Sequence, residues 1–260
     1  MISRDSVVMS ITPNWPAPTN IHAYTTTRLG GISTPPWNSF NLADHVGDAA
    51  DAVAANRATL KERLNLPAAP CWMHQVHGNT VIHHDSSDGD HRDLIPNVTG
   101  KCGDATVTKK ANQVCAVLTA DCLPVLFCDR YGSCVGIAHA GWRGLIRGVL
   151  DATVDALDTD PTDLLAWLGP GIGPTAFEVG DEVRHAFVQA HTEAAPLFSG
   201  MGGRWFADLY GLARQRLQRL GIRNIYGGDF CTYCDAKYFF SYRRDGVTGR
   251  MATVIYFDTT

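Results

Sequence analysis

The 260-residue sequence predicts an α+β protein whose mixed β-sheets lie packed with outer helices. Three observations carry that expectation. Strand-like apolar segments recur along the whole chain, whereas helical periodicity is clear in only three places. Residues 123–127 and 134–138 form two apolar runs joined by a short turn over Asp129-Arg130-Tyr131-Gly132, an antiparallel hairpin. A hairpin excludes a purely parallel doubly wound sheet. Finally, no repeat or low-complexity linker divides the chain, and 45% hydrophobic residues suffice for one domain spanning residues 1–260.

The elements follow in order. A strand is expected over residues 22–26. Asp48 can cap a helix running towards Leu64, with Val53, Leu60 and Leu64 on one face. A strand over 80–83 leads into a polar stretch, His83 to Asp93, expected to be an exposed loop. Strands over 105–108 and 114–118 precede the hairpin. After Gly144 a second helix carries Leu145, Val149, Leu150, Val154 and Leu157 on its apolar side. Strands over 164–168 and 176–179 come next. The third helix spans about 208–220, with Leu209, Leu212, Ala213, Leu217 and Leu220 inward and Gly221 as its stop. Short strands over 225–226 and 253–257 complete the reading.

Composition excludes several functions. A net charge of −4 leaves no basic surplus for nucleic acid. No apolar run approaches the roughly 20 residues that cross a bilayer, so no membrane partner is expected. The N-terminal residues 1–18 lack a secretory apolar region, which predicts a cytoplasmic protein. Of eight cysteines, Cys115, Cys128 and Cys134 fall inside apolar strands and read as buried free thiols. Cys231 and Cys234 have CxxC spacing, but two further ligands at fitting spacing are missing, and the pair receives no metal or redox role.

The hairpin places chemistry together. With the loop centred between Arg130 and Tyr131, Cys122 pairs with His139, their Cβ atoms about 4.5–5.5 Å apart on one face. Such a thiol and imidazole can share a metal or act as nucleophile and base. A loop one residue longer would separate them. Taken singly, Cys122 reads as a core thiol, and the facing register reverses that. His74 and His77 are three apart, as two ligands on one helical turn would be, although Gly78 and Asn79 favour a loop. A lone loop histidine is usually solvated, so His77 stays a candidate only.

Arginines mark three turns. In His139-Ala140-Gly141-Trp142-Arg143-Gly144 a strand ends and a helix begins, which suits either an anion or a tight turn with a solvated arginine. Ser241-Tyr242-Arg243-Arg244-Asp245 offers two arginines, one paired with Asp245 and the other, Arg243, a candidate for substrate. Arg28 lies before Gly30 and Gly31 at the end of the first strand. Gly169-Pro170-Gly171-Ile172-Gly173-Pro174 lacks the lysine and Ser/Thr of a phosphate loop and reads as a rigid wall.

Taken together, the runs TTRLGG, FNLA, HVGD, QVHG, ADCLPVLFCDR, HAGWRGL, AWLGPGIGP, AFEVG, CTY and FFSYRRD with TGRMA resemble the YfiH family, also called laccase-domain, polyphenol oxidase or peptidoglycan editing factor proteins. The likeness runs from about Trp15 to Tyr256 and keeps family order. It implies a layered, cysteine-hydrolase-like fold. It also implies a zinc site from His77, Cys122 and His139, with His74 left out. Three protein ligands leave a fourth position open, as in catalytic zinc.

The activity so implied is phosphorolysis of adenosine, inosine and methylthioadenosine to base and ribose 1-phosphate, together with deamination of adenosine. Purine nucleoside and phosphate are the expected partners, and Arg28, Arg143 and Arg243 the candidates to hold phosphate. Copper is the alternative metal, because two histidines and a cysteine also suit a blue-copper centre. A multicopper oxidase would need a further histidine-rich cluster, and this chain has ten histidines and no His-x-His pair. A metal-free amide hydrolase with Cys122 as nucleophile and His139 as base uses the same residues. A zinc-stabilised binding module would call for four protein ligands.

Overall fold

Residues 123–129 present no polar face, and the computed structural model shows why: both sides of that strand are covered. The structure describes residues 9–85, 101–202 and 204–259. In chain order the elements are β1 (Ser10–Ile11), β2 (Ile21–Thr26), α1 (Ala50–Arg63), β3 (Val81–His83), β4 (Ala105–Thr108), β5 (Cys115–Thr119), β6 (Leu123–Asp129) and β7 (Val135–Ala140). There follow α2 (Trp142–Ile146), α3 (Val149–Leu157), β8 (Leu164–Leu168), β9 (Glu178–Gly180), α4 (Asp181–Ala190), β10 (Phe198–Met201) and β11 (Arg204–Ala207). The last are α5 (Leu209–Arg219), β12 (Asn224–Gly227), α6 (Tyr242–Asp245) and β13 (Met251–Phe257).

Two sheets lie face to face. The larger is mixed, in the order β12-β8-β6-β7-β4-β3, and the smaller is antiparallel, in the order β1-β2-β13-β5. Period-two alternation sorts the side chains. Val125 and Phe127 of β6 join Val149, Leu150, Val154 and Leu157 of α3 and Leu212 and Leu217 of α5 on the outer side. Leu126 and Cys128, one residue out of step, meet Cys115, Val117 and Ile255 of the smaller sheet. The far face of that sheet, with Ala116, Leu118, Ala252 and Val254, packs on Phe40, Leu42 and Leu60 of α1. Helices thus flank two stacked sheets, the expected mixed α+β arrangement. A third sheet, β10-β11-β9, stands beside them. Among the described residues no helix is long and apolar enough to cross a membrane.

The hairpin forms with a different register. β6 pairs β7 with Pro124 opposite His139 and Leu123 opposite Ala140, two residues from the expected pairing of Cys122 with His139. The cause is Asp129, whose carboxylate accepts N–H from Ser133 at 2.7 Å and Cys134 at 3.3 Å. It thereby fixes the loop as residues 130–133 instead of 129–132. An even shift preserves the face, so Cys122 and His139 stay on one side as diagonal neighbours.

Other boundaries move for local reasons. Asp48 is not the N-cap of α1; Ala49 is, because the Asp48 carboxylate is taken by Ser33 Oγ at 2.6 Å and Asn41 Nδ2 at 2.9 Å. The expected helix after Gly144 is two helices, broken at Gly148 with φ +83. Asp208 does cap α5, accepting N–H from Gly211 at 2.9 Å, and Gly221 with φ +94 ends it. The strand expected at 176–179 lies at Glu178–Gly180, and α4, β10 and β11 were not foreseen. Beyond Asp85 the expected polar loop lies outside the described residues.

The inter-sheet layer can be tested at Leu126, which is fully buried between the sheets. Leu126→Ala should lower unfolding free energy by about 2–5 kcal/mol in a urea titration. A loss well under ~1 kcal/mol would mean the sheets are not packed there.

Candidate metal centre

The site forms where the chain leaves one sheet for the other. β5 belongs to the smaller sheet and β6 to the larger, so residues 120–122 make the crossing. Asp121 turns it in a left-handed conformation, φ +91, which costs a non-glycine residue about 1–3 kcal/mol. Its carboxylate holds the conformation: Thr232 Oγ1 donates to Oδ1 at 2.6 Å and the Arg243 amide to Oδ2 at 2.7 Å. Cys122 follows at the mouth of β6, and His139 lies near the end of the adjacent β7.

His77 arrives from the loop before β3, also left-handed at φ +58. Gln75 anchors that loop to β5, donating from Nε2 to the Leu118 carbonyl at 2.9 Å and accepting the Leu118 N–H at 2.7 Å. The decisive partner is Asp104, fully buried at the start of β4. Its Oδ1 accepts the His77 amide at 2.9 Å, and Oδ2 the amides of Gly78 at 2.7 Å and Val76 at 3.2 Å. The same carboxylate lies 2.9 Å from His139 Nδ1. These contacts hold it below the usual carboxylate range although burial opposes them. When a metal is bound, an ionised acceptor there makes Nδ1 the protonated nitrogen of a neutral His139, leaving Nε2 as the ligand lone pair.

The three donors converge. His77 Nε2 lies 3.8 Å from Cys122 Sγ, and one ligand atom from each of His77, Cys122 and His139 falls within 4.8 Å of the others. Those spacings suit three donors closing on one ion with bonds of about 2.0–2.3 Å, and imidazole with thiolate suits zinc or copper. Gly141 makes room: a Cβ there would come within 2.8 Å of Cys122 Sγ and 3.2 Å of the His77 ring.

Burial alone would raise the Cys122 thiol, but neighbouring His139 and hydrogen bonds from both imidazoles outweigh it and bring the thiol to about 6. For His139, burial would lower the imidazole, yet the Cys122 sulfur and Asp104 raise it to about 9. Without a metal, the pair is therefore thiolate and imidazolium around neutrality. Such a thiolate is already in the form a metal binds.

The donors open into a cleft of about 440 Å³, lined also by His45, Thr119, Tyr242 and Arg250. None of the three arginines singled out in the sequence lines it. Arg28 donates to the carbonyls of Asn38 and Ala236 and lies over the Phe240 ring. Exposed Arg143 stacks on Trp142 at 4.3 Å, at the head of a helix of only five residues. Arg243 donates its Nη1 to the Glu178 carbonyl at 2.7 Å; only its backbone braces the site, through Asp121. As expected, Arg244 is the arginine paired with Asp245. The cleft arginine is Arg250, which burial lowers and the charges of Cys122 and Asp121 raise. It stands in the run TGRMA, quoted above for the family likeness but not read for its arginine.

His74 is not part of the donor cluster; its ring lies 6.5 Å from that of His45. Thr119, only 1% exposed, borders the cleft, and its hydroxyl is buried without a hydrogen-bond partner among the described residues. No sequence signal marks it.

Comparison with known proteins gives a consistent picture. Residues 22–258 match the family model described as multi-copper polyphenol oxidoreductase laccase. The chain is 49% identical to purine nucleoside phosphorylase YfiH of Escherichia coli (strain K12), over 95% of this chain and 98% of that one. It is 50% identical to a purine nucleoside phosphorylase of Pseudomonas aeruginosa, covering 95% and 97%. Among solved structures, Neisseria meningitidis protein NMB0706 superposes with a TM-score of 0.90 at 45% identity, covering 96% of this chain and all of that chain.

Two measurements check the site. Asp104→Asn should weaken metal affinity about 10- to 100-fold in a competition titration with a chromophoric chelator. An unchanged affinity would remove Asp104 from the ligand scaffold. In chelated protein, Cys122 alkylation by iodoacetamide should rise through pH 6 and level off above it, because the thiolate forms as pH passes the lowered value. Peptide mapping reads this; a midpoint near an ordinary thiol's 8.5 or so would contradict the ion pair.

Proposed function

Because the chain belongs to the YfiH family of the laccase model and gathers metal donors and an arginine in one cleft, we propose that it is a zinc-dependent purine nucleoside enzyme. The reactions are phosphorolysis of adenosine, inosine and methylthioadenosine to base and ribose 1-phosphate, and deamination of adenosine. The observation that carries the reading is the placement of Arg250 and Thr119 in the same cleft as His77, Cys122 and His139.

Zinc held by those three residues would supply a Lewis acid able to bring the pKa of water down to about 7. Asp104 keeps His139 in its ligating tautomer and holds the His77 loop in register. Phosphorolysis asks for phosphate held beside the anomeric carbon as the ribose becomes oxocarbenium-like. Arg250 supplies charge and N–H donors for that anion. Tyr242, 61% exposed at the cleft, offers a face for the purine. Partial burial and nearby Arg250 lower His45, which stays neutral at pH 7 as a proton acceptor in the wall.

A specific observation favours a second reading. Asp104, His139 and Cys122 form a carboxylate–imidazole–thiolate series, with the thiol drawn to about 6, which is the arrangement of an amide hydrolase acting without metal. Copper oxidase chemistry has less support, since a multicopper enzyme would need a further histidine-rich cluster and the sequence has no His-x-His pair.

Zinc-loaded protein incubated with adenosine should yield inosine, with adenine and ribose 1-phosphate appearing only when phosphate is present. Arg250→Ala should slow adenine release about 10- to 150-fold, the loss of one charge-assisted contact, while leaving inosine formation comparatively intact. Chelation should stop both products. If zinc-free protein deaminated adenosine at full rate, the zinc reading would fail and the hydrolase reading would replace it.

A further inference from the structure

Cys231 and Cys234 lie outside the metal centre, and the structure treats them as a pair. The Asp235 amide donates to the Cys231 carbonyl at 2.9 Å, which makes residues 231–235 one helical turn. Asp235 Oδ2 in return accepts the Cys231 amide at 3.2 Å. Residues three apart on such a turn share a face, with Cβ atoms about 5–6 Å apart. The Cys231 sulfur accepts the Cys234 amide at 3.4 Å and the Gly173 amide at 3.2 Å. The Cys234 thiol is in hydrogen-bonding contact with Cys231 and with Thr175.

Exposure divides the roles. Cys231 is half-buried against Gly173, where an added Cβ would lie 3.1 Å from its sulfur, whereas Cys234 is exposed. Both are free thiols. Five of the remaining six cysteines carry thiols raised chiefly by burial, Cys71, Cys102, Cys115, Cys128 and Cys134, whereas exposed Cys234 is raised first by its hydrogen bond with Cys231. The sixth, Cys122, belongs to the metal centre.

We infer that Cys231 and Cys234 are a redox-responsive dithiol that closes to an intramolecular disulfide on meeting a low-molecular-weight disulfide such as glutathione disulfide. The exposed Cys234 sulfur attacks one glutathione sulfur, forming a mixed disulfide and releasing one glutathione. The Cys231 sulfur, held against its neighbour by two amides, then attacks Cys234 and releases the second glutathione. Two thiols are oxidised, one disulfide is reduced to two thiols, and the two protons leave on the glutathiones. A disulfide needs Cβ atoms about 3.5–4.5 Å apart, a tightening of about 1–2 Å in a turn lying at the surface.

The test is direct because the tryptic peptide 224–237 contains these two cysteines and no other. Zinc-loaded protein is incubated with glutathione disulfide, quenched with acid, alkylated with N-ethylmaleimide under denaturing conditions, digested and weighed. The expected peptide is unalkylated and two hydrogens lighter than the dithiol, and dithiothreitol before alkylation restores two maleimides. In Cys231→Ser protein the reaction should stop at a glutathione adduct on Cys234. Peptide 224–237 from the wild-type protein carrying two maleimides, or a persistent glutathione adduct, would overturn the inference.

Discussion

One buried carboxylate holds the candidate metal centre together. Asp104 accepts three successive backbone amides from residues 76–78 and the His139 ring N–H, and its own carbonyl accepts the His139 amide at 2.7 Å. An ionised carboxylate is an acceptor only, so every group pointed at it must be a donor. That requirement simultaneously selects the His77 loop conformation, the His139 tautomer and the register of β4 on β7. A charge with no exposure at all survives there because its lone pairs are occupied. Remove it, and four donors would face one another across a buried gap.

A second constraint is the crossing between sheets. The chain must turn sharply from β5 to β6, and Asp121 does so in a conformation that few non-glycine residues adopt. Hydrogen bonds from Thr232 and Arg243 offset the cost. The register of β6 on β7 then brings Cys122 beside His139, and Gly141 leaves space for the sulfur. Backbone strain, a missing side chain and a buried acid thus act on one point from three directions.

The donor set is open to more than one chemistry. Two imidazoles and a thiolate accept zinc or copper, and the same thiolate beside a protonated histidine has the makings of a covalent catalyst. What distinguishes the reactions is the rest of the cleft. An arginine beside the donors suits an anion. Phosphate is that anion in the proposed phosphorolysis, and an oxidase acting on neutral phenols would have no use for it.

The layering was legible in the order of residues because alternation and periodicity are local properties. Apolar and alternating segments announced strands, and the spacing of leucines announced α5. Cys122 and His139 could be placed on one face from loop parity, which survives a slip of two residues even though the pairing did not. His77 came into view through the family likeness of its motif. Asp104 and Arg250 did not, nor did Thr119. An aspartate before a strand and an arginine after a glycine look solvated when read along the chain. Their roles come from contacts between segments far apart in sequence, such as 76–78 with 104 and 139, or 119 with 250. Burial, charge pairing and the sharing of one cleft exist only once two sheets have closed on each other, and that closure is a property of the folded chain.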